Sequence, residues 1–259
     1  MRSGLNCRAF SGGWAAVLRR RARLVAESER LGRALLNSIS HELRTPLAAS
    51  TSAVSMLVGN PALPAEQRST LLGEIQEANA RLNRVVGNLL GLSRIEAGQL
   101  RVKCDWHDAR DLIRTVLAGL ARELGCHPVR VSVGTEALLA RMDFHLMEQA
   151  LGNLMHNAAV HTPSGTPIEV GASLEPGWLN LTVSDGGPGI EEGLVPHLFE
   201  KFRRGVSAPP GGSGLGLAIA RGFVEAHGGA ITAGNRQGGG AEFIIRLPQA
   251  EAPPVFHGS

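Results

Sequence analysis

Two long stretches with helical periodicity, separated by a Gly-Asn-Pro break, constrain the fold of this chain more than any other feature. The first extends from about Trp14 to Val58, and residues 59–61 end it because glycine terminates helices and proline cannot continue them. Pro64 suits the first turn of a second helix. The apolar residues of that helix alternate at spacings of three and four: Leu72, Ile75, Ala78, Leu82, Val85, Leu89 and Leu92. We therefore expect a helical hairpin over residues 14–100, preceded by an irregular N-terminus over residues 1–13.

The first helix also carries one apolar stripe, formed by Leu36, Ile39, Leu43, Leu47, Val54 and Leu57. A hairpin alone leaves two such stripes half open to water, whereas pairing two copies into a four-helix bundle buries them. We therefore expect a homodimer. Gly73, Gly87 and Gly91 interrupt the second helix. Each costs about 1 kcal/mol relative to Ala, which close approach of backbones within the bundle would offset.

A compact group of reactive side chains lies on the other side of the first helix. At about 100° per residue, His41 and Thr45 point roughly 160° away from the centre of the apolar stripe, and Glu42 lies on its flank. Pro46 has no N–H to bond the carbonyl of Glu42, which predicts a bend just after His41. An exposed imidazole beside a carboxylate and a hydroxyl is a candidate reactive site; an ordinary solvated histidine is the alternative.

The periodicity changes after Leu100 and predicts an α+β domain over residues 101–248, followed by a disordered tail over residues 249–259. The predicted helices span residues 108–124, 144–161 and 215–227, and the predicted strands span 101–106, 129–133, 138–142, 168–174, 179–184, 230–235 and 241–247. Three glycines at 238–240 separate the last two strands, which is a hairpin signal. We expect an α+β sandwich in which a mixed sheet carries its helices on one face.

Two motifs of this domain carry groups suited to a nucleotide. Asn153 and Asn157 place two carboxamides on one helical face, and an uncharged oxygen suits a Mg²⁺ ion that keeps most of its waters. A polar helix face is the alternative. Asp185 follows a strand and can accept a hydrogen bond from an exocyclic amine such as that of adenine, while Gly187 and Gly189 let the backbone pass close to a ligand. A simple turn is the alternative there.

A glycine-rich run and a basic loop complete the set of motifs. Residues 212–217, Gly-Ser-Gly-Leu-Gly-Leu, open a helix whose free N–H groups can hold phosphate, and their context disfavours a dinucleotide-binding fold. Between the glycine runs, residues 199–204 carry two phenylalanines and three cations. A lid over phosphates needs these parts, although a solvated basic loop has them as well.

In this order the motifs resemble those of the sensor histidine kinases of two-component systems. The string His-Glu-Leu-Arg-Thr-Pro-Leu at 41–47 is similar to their phospho-acceptor box, and the other motifs resemble the N, G1, F and G2 boxes of their ATPase domain. The resemblance covers about Leu31 to Pro248, and residues 23–50 and 105–108 are most similar to the Kdp-type potassium-responsive sensor kinases. It implies an α-helical hairpin (HisKA; a four-helix bundle as dimer) followed by an α+β sandwich ATP-binding domain of the gyrase/Hsp90/histidine kinase type (HATPase_c).

The resemblance also implies roles for individual residues. His41 would accept the γ-phosphoryl group of Mg-ATP and pass it to an aspartate of a response regulator receiver domain, Glu42 would activate its nitrogen, and Thr45 would position water for dephosphorylating the regulator. Asn157 would coordinate Mg²⁺, and Arg204 would reach the γ-phosphate. The implied nucleotide-binding set is Asn153, Asn157, His161, Asp185, Gly187, Gly189, Ile190, Phe199, Lys201, Phe202, Arg204, Gly212, Gly214, Leu215 and Gly216.

Some positions depart from the pattern of these relatives. The hydrolysing members of the superfamily have a catalytic Glu where Asn153 stands, and without that carboxylate ATP is expected to serve transfer rather than hydrolysis. Val160 and His161 replace the Lys-Tyr pair usual in the family, and Gly186 replaces a common Asn. The competing interpretations are an ATP-driven conformational clamp and a scaffold that only dimerises.

The charge, the cysteines and the hydropathy of the chain limit the partners and the cellular compartment that we expect for it. A net charge of +3 without a basic patch of interleaved aromatics argues against nucleic-acid binding. Cys7, Cys104 and Cys126 lack metal-ligand spacing and fit a reducing compartment. No apolar run approaches the roughly 20 residues that cross a bilayer. We therefore expect a cytoplasmic kinase core without a membrane segment, either a truncated soluble relative or a fragment of a membrane-anchored sensor.

Overall fold

The computed structural model describes residues 39–134, 137–203, 205 and 212–249. The expectations for residues 1–38, for Arg204 and for the tail from residue 250 lie outside this part of the chain. Helix α1 occupies residues 39–59 and continues through Pro46, and helix α2 spans Ala65–Glu96 with Pro64 directly before it. The short connection between them is the one predicted for a hairpin. Among these described residues, no helix combines the length and the apolar character needed to cross a membrane.

Each helix of the hairpin combines buried positions with an exposed apolar face. The buried residues are Glu42, Pro46 and Ala53 on α1 and Leu71, Gly73, Ala78, Val85, Gly91 and Leu92 on α2. Leu47 and Val54, which were expected in the buried stripe, are 58% and 44% exposed, because the stripe of α1 is wider than one partner helix can cover. The large exposed apolar residues in the described part of the hairpin are Leu47, Val54, Met56, Val58, Leu72, Val86 and Leu90, and all of them except Met56 lie on these exposed faces. In a single copy of the chain, this second apolar face therefore remains in contact with water.

The rest of the described chain is built on a five-stranded mixed sheet. Its elements in chain order are β1 (Asp105–Asp108), α3 (Ala109–Gly119), β2 (Val129–Val133), β3 (Leu139–Met142), α4 (Phe144–His161), β4 (Ile168–Glu175), β5 (Trp178–Asp185), a 3-10 turn (Val195–His197), α5 (Gly216–Ala226), β6 (Ala230–Asn235) and β7 (Ala241–Pro248). The strand order is β2-β4-β5-β7-β6, with only the β2–β4 pair parallel, and β1 pairs with β3 separately. The helices bury apolar side chains against this sheet, which confirms the α+β sandwich.

Most predicted element boundaries agree with the structure to within one or two residues, and two do not. Strand β1 begins at Asp105 rather than at residue 101, because the N–H of Lys103 donates to Asp143 Oδ2 at 3.0 Å instead of to a neighbouring strand. Helix α3 ends at Gly119 rather than at residue 124. Glycine is a weak helix former, and the chain continues from there as turns in which the N–H of Leu124 bonds the carbonyl of Leu120 at 2.9 Å.

The glycines of α2 face the sandwich domain that follows the hairpin. A Cβ placed on Gly91 would lie 2.7 Å from Phe223 Cζ of α5, and a Cβ placed on Gly73 would lie 2.5 Å from the Arg122 guanidinium. Gly222 of α5 is equally close to Ile95 of α2, since its Cβ would lie 2.5 Å from Ile95 Cδ1. Close contacts thus account for Gly73 and Gly91, but they are made by side chains of the domain that follows the hairpin and not by another helix backbone, as was expected. Gly87 has only an ordinary contact, with Gln149 Oε1 at 3.8 Å.

Candidate active site

The candidate phospho-acceptor group lies on the exposed side of α1. His41 and Thr45 are both exposed, as predicted, and the hydroxyl of Thr45 donates to the carbonyl of His41 at 3.2 Å. Glu42, by contrast, is only 7% exposed, so it lies deeper than the flank position that the helical wheel indicated. The structure therefore presents the imidazole and the hydroxyl to solvent and places the carboxylate between them and the core of the hairpin.

Asp185 is a buried carboxylate at the end of β5. Its Oδ1 accepts hydrogen bonds from the N–H of Gly187 at 2.9 Å and from the N–H of Ala241 at 3.3 Å, and the residue is 5% exposed. Two backbone donors on one oxygen fix the orientation of the carboxylate. A fixed acceptor at the edge of a glycine-lined loop suits recognition of an amine on a planar base.

Two glycines of the loop after Asp185 occupy positions where a side chain would collide with a neighbouring residue. A Cβ on Gly187 would lie 2.5 Å from Thr162 Cγ2. Gly189 has φ +80°, and Asn235 clamps the next residue by accepting from the N–H of Ile190 at 2.6 Å and donating to its carbonyl at 2.8 Å. The sequence analysis did not identify Thr162 or Asn235 as part of this site. Thr162 directly follows the predicted helix that ends at His161, and Asn235 is the last residue of the predicted strand 230–235.

Helix α4 carries the two candidate carboxamides as predicted. Asn153 is buried, and Asn157 lies one turn further along and is half-buried. The start of α5 lies against Asn153, because a Cβ on Gly216 would be 3.4 Å from Asn153 Cγ. The first turn of α5, with its free N–H groups, therefore adjoins α4. Val160 and His161 are exposed at the C-terminal end of α4, and Val160 is 37% exposed.

A backbone hydrogen bond joins the basic loop to the glycine-rich run. The N–H of Phe202 donates to the carbonyl of Gly214 at 3.0 Å, and Phe202 adopts the unusual φ of +65°. Phe199 and Phe202 are half-buried against the core, as expected for apolar anchors. Lys201 Nζ donates to Glu96 Oε1 of α2 at 2.6 Å. Hydrogen bonds from Arg203 and His197 hold the pKa of Glu200 below its ordinary value, so Arg203 is engaged within the loop.

The residues present fit a Mg-nucleotide rather than an independent metal site. Within the described residues, no group of three or more His, Cys, Asp and Glu side chains could hold a metal ion alone. A Mg²⁺ ion bound through phosphates needs only one or two protein ligands, and the Asn157 carboxamide can provide one. A cavity of about 450 Å³ lies elsewhere, at the tip of the hairpin, where its lining includes Met56, Leu63 and Leu71.

Comparisons with known proteins agree with this geometry. Residues 33–98 match the His Kinase A (phospho-acceptor) domain family, and residues 142–251 match the Histidine kinase-, DNA gyrase B-, and HSP90-like ATPase family. The chain is 37% identical over 240 residues to the sensor protein KdpD of Escherichia coli strain K12, covering 91% of this chain and 27% of that protein. It thus spans about a quarter of the length of this relative.

Two solved structures illustrate the likeness in fold. A mycobacterial sensor histidine kinase, MprB, is 31% identical with a TM-score of 0.51, and the match covers 56% of this chain and 98% of that one. Full-length ShkA in complex with AMPPNP is 29% identical with a TM-score of 0.60, covering 85% of this chain and 46% of that one. The match to MprB thus extends over about half of this chain, and the match to ShkA extends over most of it.

Proposed function

Since this chain belongs to the sensor histidine kinases and is similar to the Kdp-type sensors among them, we propose that it phosphorylates its own His41 from Mg-ATP. The phosphoryl group then passes to an aspartate of a response regulator receiver domain. The observation that carries this proposal is the pairing of two parts in one chain: an exposed His41 on the hairpin and a buried, backbone-fixed Asp185 in the sandwich domain.

The chemistry assigns a simple task to each residue. A ring nitrogen of His41 attacks the γ-phosphorus, so that an N–P bond forms while the bond to the ADP oxygen breaks, and Glu42 takes the imidazole proton. Asp185 holds the base, and the first-turn N–H groups of α5 hold phosphate. Asn157 would hold Mg²⁺, which would neutralise charge on the phosphates. Asn153 offers an amide where water activation would need a carboxylate, which favours transfer over hydrolysis.

We propose that the acting form is a homodimer. Among the described residues of the hairpin, Leu47, Val54 and Val58 form an exposed apolar face on α1, and Leu72, Val86 and Leu90 form one on α2. Met56 lies on the opposite side of α1, where it lines the cavity at the tip of the hairpin. A second copy would bury this surface in a four-helix bundle. In that bundle His41 and Thr45 point outward, where a regulator can reach them, and Thr45 would position the water that hydrolyses the phosphoaspartate of the regulator.

The test is incorporation of the γ-phosphoryl group of labelled Mg-ATP. We expect a label that is labile in acid and stable in alkali, absent from His41→Gln and strongly reduced in Asp185→Asn. Matched samples of His145→Gln, an exposed histidine on α4, control for loss of a surface imidazole. A label that persists in His41→Gln would refute the assignment of the phospho-acceptor.

A further inference from the structure

Helix α2 contacts the sandwich domain through polar groups that belong to the proposed nucleotide site. The Nδ2 of Asn153 donates to Asn88 Oδ1 at 3.2 Å, and the Nζ of Lys201 donates to Glu96 Oε1 at 2.6 Å. Asn153 and Lys201 come from two different motifs, on α4 and on the basic loop. Both of them direct a hydrogen-bond donor to α2 in this arrangement.

A cluster of charged side chains anchors the same contact. Arg84 of α2 pairs with Glu123, and the Nδ1 of His156 lies 2.7 Å from Arg84 Nη1 and 2.7 Å from Glu123 Oε2. Burial raises the pKa of Glu123, but hydrogen bonds from His156 and Arg84 outweigh it and lower this pKa to about 2. His156 stands between Asn153 and Asn157 in sequence, so α4 is tied to α2 at the turn that carries both carboxamides.

Two glycines also allow α2 and α5 to pack closely at this contact. Gly91 and Gly222 leave room for Phe223 and Ile95 respectively, and a methyl group at either glycine would lie within 2.7 Å of the opposing side chain. Polar pairs, a charged anchor and two glycines together define one specific docked arrangement of the sandwich domain on α2.

We infer that α2 competes with Mg-ATP for Asn153 and Lys201. The inference rests on the proposed function, because it takes the nucleotide to bind at the predicted motifs. The bonds to α2 fix the positions of the Asn153 amide and the Lys201 ammonium, so a nucleotide that draws either group towards its phosphates must break that group's bond to α2. Docking on α2 therefore weakens nucleotide binding, and by thermodynamic reciprocity bound nucleotide loosens the contact around Asn88 and Glu96.

The test is a set of variants titrated with the non-transferable analogue Mg-AMPPNP by calorimetry. Glu96→Gln removes the partner of Lys201, and Glu77→Gln removes the same charge from an exposed site on the same helix. We expect Glu96→Gln to bind AMPPNP about two- to fivefold more tightly at low salt, the range of an exposed ion pair, and to converge with the wild type near 1 M salt. Glu77→Gln should match the wild type. Amide hydrogen exchange over residues 88–96 should rise when AMPPNP is added.

A double-mutant cycle tests whether the tighter binding of Glu96→Gln acts through Lys201. The gain from Glu96→Gln should vanish in a Lys201→Gln background. Wild-type protein that binds no AMPPNP refutes the proposed function itself. Wild-type protein that binds AMPPNP, with Glu96→Gln no tighter than Glu77→Gln or with a gain that survives Lys201→Gln, refutes the competition.

Discussion

Two glycines one turn apart on α2 should respond in opposite directions to the same substitution. Replacing Gly87 by Ala adds a methyl group whose nearest neighbour is Gln149 Oε1 at 3.8 Å, an ordinary contact. The helix gains about 0.5–1 kcal/mol because the unfolded chain loses backbone freedom. Gly91→Ala receives the same local gain, but its Cβ lies 2.7 Å from Phe223 Cζ and 3.4 Å from Ile219 Cγ2.

The steric cost at Gly91 outweighs the helical gain. Phe223 is 1% exposed and Ile219 is fully buried, so the ring has no free space to enter. Overpacking of this kind costs about 1–3 kcal/mol. We therefore expect Gly87→Ala to raise the free energy of unfolding by about 0.5–1 kcal/mol and Gly91→Ala to leave it unchanged or lower it by up to about 2 kcal/mol.

Urea unfolding followed by circular dichroism at one fixed protomer concentration measures both values. A Phe223→Leu background provides the control, since a shorter side chain should reduce the penalty at Gly91 and leave the gain at Gly87 unchanged. If Gly91→Ala stabilised the protein as much as Gly87→Ala, α2 and α5 would not be packed as described.

Three further predictions concern single side chains. Glu123→Gln should lower the free energy of unfolding at pH 7 by at most about 3 kcal/mol. Because the folded-state pKa of Glu123 is depressed from 4.5 to about 2, the difference in stability between variant and wild type should shrink as the pH falls from about 5 to 2. A difference in stability that stayed constant with pH would contradict the ion pair. Val160→Lys should tighten ATP binding at pH 8 by roughly tenfold at most through a charge-assisted contact, whereas calorimetry showing no gain would place residue 160 away from the phosphates. Thr45→Ala should retain autophosphorylation and lose regulator dephosphorylation, and the opposite pattern in a phosphotransfer assay would reverse the roles of Thr45 and Glu42.

Local patterns predicted the elements of this fold well. Helix α4 has its predicted ends because Asp143 caps it, accepting from the N–H of Leu146 at 3.2 Å, and His161 precedes a residue with extended backbone. The hairpin between β6 and β7 follows from three consecutive glycines with positive φ, and the N–H of Arg236 bonds the carbonyl of Gly240 across the turn. Such features depend on neighbours within a few residues, which the sequence displays directly.

Contacts between elements that are distant in the sequence could not be predicted from local patterns. The pairing of Asn153 with Asn88 spans 65 residues, and nothing in the periodicity of α2 shows which of its polar positions face another domain. The burial of Glu42 has a similar origin, because the helical wheel places it at the border of a stripe whose width depends on the partner helix. Gly91 was recognised as costly in a helix, but its compensating partner, Phe223, lies on an element that only the tertiary structure brings near.

The faces of α2 also limit how this helix can turn about its own axis. Side chains extend about 5 Å from a helix axis, so a rotation of about 30° displaces their ends by about 3 Å. That displacement exceeds the tolerance of a hydrogen bond, so the bonds that Asn88 and Glu96 accept from Asn153 and Lys201 would break. A twist of α2 of this size would thus separate it from the sandwich domain at Asn88 and Glu96 without any change in the length or bend of the helix.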